Sequence, residues 1–234
     1  MGETMAEESQ NRWTWMLNLS LLVAMGVDLY LIFLFAPEER TMGQVQRIFY
    51  FHVPSAWVAF LAFFVVFVAS IGYLWKKDRK YDVVAACSAE IGVVFATLVL
   101  ITGPIWARPV WNVWWDWSPR LTSFLVLWFI YVAYLMLRSF VEGEERGARF
   151  AAVFGIVGFV DVPIVYMSIR LWRDIHPSPV IAGGEGSGLA PEMKIAFFFS
   201  LFAFTLLYLA LLRQRIALQK SKLRLSEIKK QMAY

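Results

Sequence analysis

His52 and His176 are the only two imidazoles in the 234 residues. Each leads into proline, as His52-Val-Pro54 and as His176-Pro-Ser-Pro179. Proline removes a backbone donor and fixes φ, so each ring is carried on a stiffened turn. Two neutral imidazoles that face each other across a gap can ligate one iron from both sides, and histidine is a standard axial ligand of haem iron. A single histidine at a helix end would as readily bond a backbone carbonyl; a pair on one surface favours ligation. Between them in the chain, Trp106 to Trp117 reads Trp-Ala-Arg-Pro-Val-Trp-Asn-Val-Trp-Trp-Asp-Trp, with five of the eleven tryptophans. Indole buries a large area at little entropic cost and suits a site that is apolar at one end and wet at the other. One or two tryptophans at a membrane surface are ordinary. Trp106, Trp111, Trp114, Trp115 and Trp117 together, with Arg108 among them and Arg120 just after, read as a flat aromatic platform with cationic edges. Such a platform suits a large planar anion. Arg47, Arg108, Arg120 and Arg173 are the candidate partners for carboxylates, which the planar guanidinium binds bidentately. Anchoring to lipid phosphate is the alternative for each.

The elements that position these residues are transmembrane. The chain is 59% hydrophobic and 17% charged, which places it among membrane proteins and excludes a soluble catalytic domain. Six apolar runs, near 15–36, 52–75, 83–105, 121–138, 149–169 and 192–212, fit transmembrane helices. The sequence therefore predicts an all-α integral membrane protein, a bundle of six transmembrane helices in one domain over 1–234, with a basic tail from 213 to 234. The polar, acidic stretch before the first run lacks the basic segment of a signal peptide, and the run is read as retained. Fifteen basic residues fall on the side that holds both termini and seven on the other, so both termini are predicted to be cytoplasmic. Segments 37–51, 106–120 and 170–191 then face outward. They bring His52, the tryptophans and His176 to one membrane surface, with the Gly183–Gly188 stretch as a flexible loop beside His176.

Other features carry less. The single cysteine, Cys87, lies in an apolar run and reads as core filler, so no disulfide or zinc framework is available. The net charge of +4 is concentrated at one side of the membrane and in the tail, where attraction to anionic lipid accounts for it; no nucleic-acid partner is implied. Asp28, Glu90 and Asp161 fall inside spans, where acids are expensive and face protein or a cavity. They read as interhelical hydrogen-bonding groups, with a proton or ion relay as the sharper alternative. Asp161 stands just before Pro163, where a kink is predicted.

Three segments carry a family resemblance: Arg47-Ile-Phe-Tyr-Phe-His-Val-Pro-Ser-Ala-Trp57; Gly103-Pro-Ile-Trp-Ala-Arg-Pro-Val-Trp111 with Trp114-Trp-Asp-Trp117 and Arg120-Leu-Thr-Ser123; and Asp161-Val-Pro-Ile-Val-Tyr166 with His176-Pro-Ser-Pro179. Together they resemble the CcmC family, the haem-handling membrane proteins of bacterial cytochrome c maturation with a tryptophan-rich WWD segment. The resemblance implies six helices and haem b held at the outer, periplasmic face of the inner membrane. It implies His52 and His176 as axial ligands and delivery of haem to the chaperone CcmE. It also implies work beside the CcmA–CcmB ABC transporter and the small protein CcmD, and a binding and delivery role rather than enzymatic catalysis. The usual Trp-Trp-x-Trp-Asp-x-Arg pattern is altered here: Asp116 comes two positions early and Ser118 takes the acid's place. Two other classes fit parts of the sequence. A cytochrome b-type electron-transfer subunit would place its ligands within helices. A transporter permease would use Asp28, Glu90 and Asp161 and leave the tryptophans as anchors.

Overall fold

The computed structural model describes residues 2–141, 143–172 and 189–232. Among them there is no strand, only an isolated bridge between Glu39 and Gly43. In chain order the helices are α1 (Gly2–Tyr30), α2 (Phe49–Lys76), α3 (Arg79–Trp111), α4 (Pro119–Phe140), α5 (Glu144–Phe159), α6 (Asp161–Leu171) and α7 (Pro191–Met232). A π-turn, Leu31–Phe35, extends α1, and a 3-10 turn, Gln44–Ile48, leads into α2. Six of the described segments are long and apolar enough to cross a membrane: Thr14–Phe35, Gln44–Lys76, Arg79–Trp111, Pro119–Phe140, Glu145–Ser168 and Pro191–Met232. This is the six-helix membrane architecture the apolar runs predict.

The largest differences lie at the ends of spans. The third run stops at 105 in the sequence, yet α3 continues through Pro104 and Pro109 to Trp111. Each proline costs a single intrahelical bond, and the rest of the helix holds. At 1.5 Å per residue α3 is about 50 Å long, well beyond a hydrocarbon core of about 30 Å. α3 starts where the Asp78 carboxylate accepts from the Lys80 amide at 2.9 Å and stops at Asn112, a left-handed residue with φ 59°. The fifth span is broken as predicted. Pro163 has no amide for the Phe159 carbonyl, and α5 gives way to α6 at Val160. α7 runs on through the predicted tail to Met232.

α2 and α3 form the centre of the bundle. Small residues at their interface, among them Ala59, Ala62, Ala89, Gly92 and Ala96, let the backbones approach. A Cβ at Gly92 would stand 2.6 Å from a ring carbon of Phe63, whose ring stacks on Tyr131 with centroids 3.7 Å apart. Polar groups tie the other helices on. Asp28 of α1 is fully buried and accepts from Ser200 of α7 at 2.7 Å. Glu90 of α3 takes Arg215 of α7 bidentately, from Nε at 2.5 Å and Nη2 at 2.8 Å. Arg138 of α4 grips Asp82 of α3 in the same way at 2.5 and 2.8 Å. Asp161 has one buried carboxylate oxygen with no hydrogen-bond partner among the described residues.

Candidate functional site

The end of the bundle where α2 begins, α3 ends and α4 begins carries the candidate chemistry. The chain reaches it through the π-turn, in which the Ala36 amide bonds the Leu31 carbonyl, five residues back, at 2.8 Å. Continued one residue, that pattern would give the Ile32 carbonyl the amide of Pro37, and proline has none. Arg47 fills the gap: its Nη1 donates to the Ile32 carbonyl. Its Nε donates to Gln44 at 2.5 Å, and the guanidinium lies 5.6 Å from the Phe33 ring centroid. Arg47 therefore closes the backbone of the approach to His52.

His52 sits in the first turn of α2 and is only 8% exposed. Its Nδ1 is 2.8 Å from the Thr102 hydroxyl on α3, and its ring meets Trp106 edge-on at 5.7 Å. Gly103, the neighbour of Thr102, leaves the space beside the imidazole open. A Cβ there would stand 3.5 Å from His52 Cε1, and a longer side chain would fill the space.

His52 lines a cavity of about 790 Å³ between α2, α3 and α4, its open mouth included. Trp106, Trp111, Trp114, Trp115, Asp116 and Arg120 line it near the helix ends. Ala56, Phe60, Val99, Leu100 and Phe124 line it further along the same helices. Phe60 lies two turns from His52, about 12 Å at the helical rise. The slot is thus apolar inside, with indoles, a carboxylate and a guanidinium toward its mouth. The indole N–H groups of Trp106 and Trp115 are buried and have no hydrogen-bond partner among the described residues. An imidazole, an apolar slot, unused indole donors and an arginine together fit a planar apolar ligand that carries carboxylates and a metal.

Of the residues singled out in the sequence, His52, Trp106, Trp111, Trp114, Trp115 and Arg120 come together around this cavity. Arg47, Arg108 and Trp117 do not line it. Arg108 donates to both the backbone and side-chain oxygens of Asn112, closing the C-terminal turn of α3. Trp117 is 72% exposed and meets Trp115 edge-on. His176 and Arg173 lie outside the described residues. The tryptophans do not form a flat platform. Trp106 and Trp111 are tilted by 55° and Trp115 and Trp117 by 76°, and all of these but Trp117 wall the cavity. Trp106 and Trp111 belong to α3, not to a loop. Thr102 went unseen in the sequence, and Ala56 and Gly103 entered only within the motifs that carry the resemblance: small and hydroxylic residues in apolar helices look like ordinary packing, and only the pairing of α2 with α3 gives them a role.

A six-helix membrane bundle with a buried imidazole in a tryptophan-walled slot is a membrane protein with a site suited to a planar ligand. The comparisons agree. The family model for CcmC, heme exporter protein C, matches residues 2–231. The chain is 36% identical to heme exporter protein C of Bradyrhizobium diazoefficiens over 83% of its length and 74% of that protein. It is 33% identical to heme exporter protein C of Escherichia coli K12 over 85% of its length and 81% of that protein. It is 32% identical to a putative cytochrome c biosynthesis ccmC-like mitochondrial protein of Marchantia polymorpha over 78% and 77%. The chain belongs to the CcmC family of heme exporter proteins and is a haem-handling membrane protein of cytochrome c biogenesis.

Proposed function

We propose that this protein holds haem b at the outer face of the bacterial inner membrane and delivers it to the haem chaperone CcmE. His52 and His176 supply the axial imidazoles. Trp106, Trp111, Trp114 and Trp115 cover the porphyrin, and Arg120 meets a propionate at the mouth. The observation that carries the reading is His52 itself, buried at the head of an apolar slot and walled by indoles with unused donors. Bound haem supplies an iron that takes two nitrogen ligands; the chain orients one of them through α2 and excludes water with the tryptophans.

The excess of basic residues on the side of the termini supports an orientation with both termini in the cytoplasm and the slot facing the periplasm. Membership of the CcmC family supports partners from the same system: CcmE as acceptor, and CcmA, CcmB and CcmD alongside. The protein positions haem and hands it over; the reactive group for covalent attachment comes from the chaperone. The test is the visible absorption spectrum of the purified protein with and without added haem, for the natural sequence, His52→Ala and His176→Ala. Each variant is expected to insert and to show an altered haem spectrum. Spectra unchanged in both would overturn ligation by this pair.

A further inference from the structure

We propose that Thr102 is a positioning residue for His52: its hydroxyl holds the imidazole as the Nδ1–H tautomer and leaves the lone pair on Nε2. The proposal rests on the reading of His52 as an axial ligand. Thr102 has one hydroxyl proton and two acceptor lone pairs. Its Oγ1 lies 2.7 Å from the Leu98 carbonyl one turn back on α3. It also lies 2.8 Å from His52 Nδ1. A carbonyl can only accept, so the hydroxyl proton goes to Leu98 and the oxygen accepts from Nδ1–H. The reverse arrangement would give the threonine proton to Nδ1 and leave the hydroxyl oxygen against the Leu98 carbonyl oxygen at 2.7 Å with no proton between them. It would also place a proton on Nε2, where an iron would have to bind.

Free neutral histidine prefers the Nε2–H form, so the geometry selects the less common tautomer. It does so across the α2–α3 interface at the centre of the bundle, with the open space at Gly103 beside the ring. A ligating histidine that donates its other N–H is fixed in orientation and becomes a stronger base, and loss of such a partner commonly costs 10–100-fold in metal affinity or activity.

Two substitutions in the full-length protein test this. Thr102→Val removes the hydroxyl and keeps the shape; Thr102→Ser keeps the hydroxyl. In haem-free protein labelled with ¹⁵N-histidine and carrying His176→Ala, His52 is the single imidazole observed. Its nitrogen shifts should report Nδ1–H when position 102 carries the natural threonine and in Thr102→Ser, and should lose that signature in Thr102→Val. In haem-loaded protein, imidazole should displace the ligand at about tenfold lower concentration in Thr102→Val. The reduction potential should also rise, because a weaker donor stabilises ferric iron less. Thr102→Ser should restore both. An Nε2–H signature in the natural protein overturns the proposal, as does a Thr102→Val variant that matches the natural protein in competition and potential. If His52→Ala changes the haem spectrum while Thr102→Val changes nothing, only the role of Thr102 falls. If His52→Ala changes nothing, the ligand assignment itself falls.

Discussion

At the scale of single residues, the tryptophans divide by what surrounds them. Trp114 is 60% exposed and lines the slot, whereas Trp75, at the far end of α2, is 82% exposed and lines nothing there. An indole against a planar ligand contributes about 1 kcal/mol beyond the area it buries, roughly fivefold in affinity. Trp114→Ala and Trp115→Ala should therefore weaken haem binding by about that factor or more, and Trp75→Ala should leave it unchanged, as read by haem titration in detergent. Equal losses at all three positions would reduce the cluster to an interfacial anchor. The clustering of tryptophans was legible in the sequence because five indoles in twelve residues exceed what an interface needs. Which of them reach the slot was not, since that depends on where α3 stops. Thr102 was invisible for a related reason. Its partner is fifty residues away, and only the packing of α2 on α3 joins them.

At the scale of elements, the six spans could be read from apolar runs because hydrocarbon requires every backbone group to be paired within the segment. Their ends could not. Pro104 and Pro109 look like terminators, yet each removes only one donor, and α3 runs two turns further and carries Trp106 and Trp111 with it. Arg47 and Arg108 drew attention as cations near the site, and both are engaged in closing helix ends. A hydrogen bond from a charged donor contributes about 1.5–3 kcal/mol. Arg47→Gln should thus lower the thermal stability of the haem-free protein by an amount of that order, and disturb haem binding through the displaced His52. A variant of unchanged stability that loses haem would instead place Arg47 on the ligand. Glu90, read in the sequence as an interhelical hydrogen-bonding group, pairs with Arg215 of α7. The pair is partly exposed, so its cost is discounted to about 1 kcal/mol or less. Glu90→Gln is expected to reduce the amount of folded protein slightly and to leave haem transfer per molecule intact, measured as haem delivered against protein quantified by immunoblot. Normal abundance with blocked transfer would show that the carboxylate takes part in the transfer.

At the scale of the whole molecule, the slot has two unlike sides. One side is α2 against α3, packed through alanines and Gly92 along the centre of the bundle, and it carries His52 and Trp106. The other is residues 112–118, which follow no regular helix, together with the first turn of α4, and it carries Trp114, Trp115, Asp116 and Arg120. This is a vice with one fixed jaw. On the proposed reading, the nitrogen offered to iron belongs, with Trp106, to the jaw packed into the bundle, while Trp114, Trp115 and the arginine offered to a carboxylate belong to the jaw outside regular helix. Capture and surrender of haem would then be governed at the edge of the ligand, with the metal bond left for an incoming protein to compete for directly. Hydrogen exchange should register the asymmetry: on haem loading, amides of 112–122 should slow markedly while those of 52–62 and 95–106 change little. Uniform slowing across both would mean that the slot closes as one body. If the protein gives its cargo away as proposed, such a division would serve it, because an acceptor would need to loosen only a short stretch of chain while the rest of the membrane bundle stayed shut.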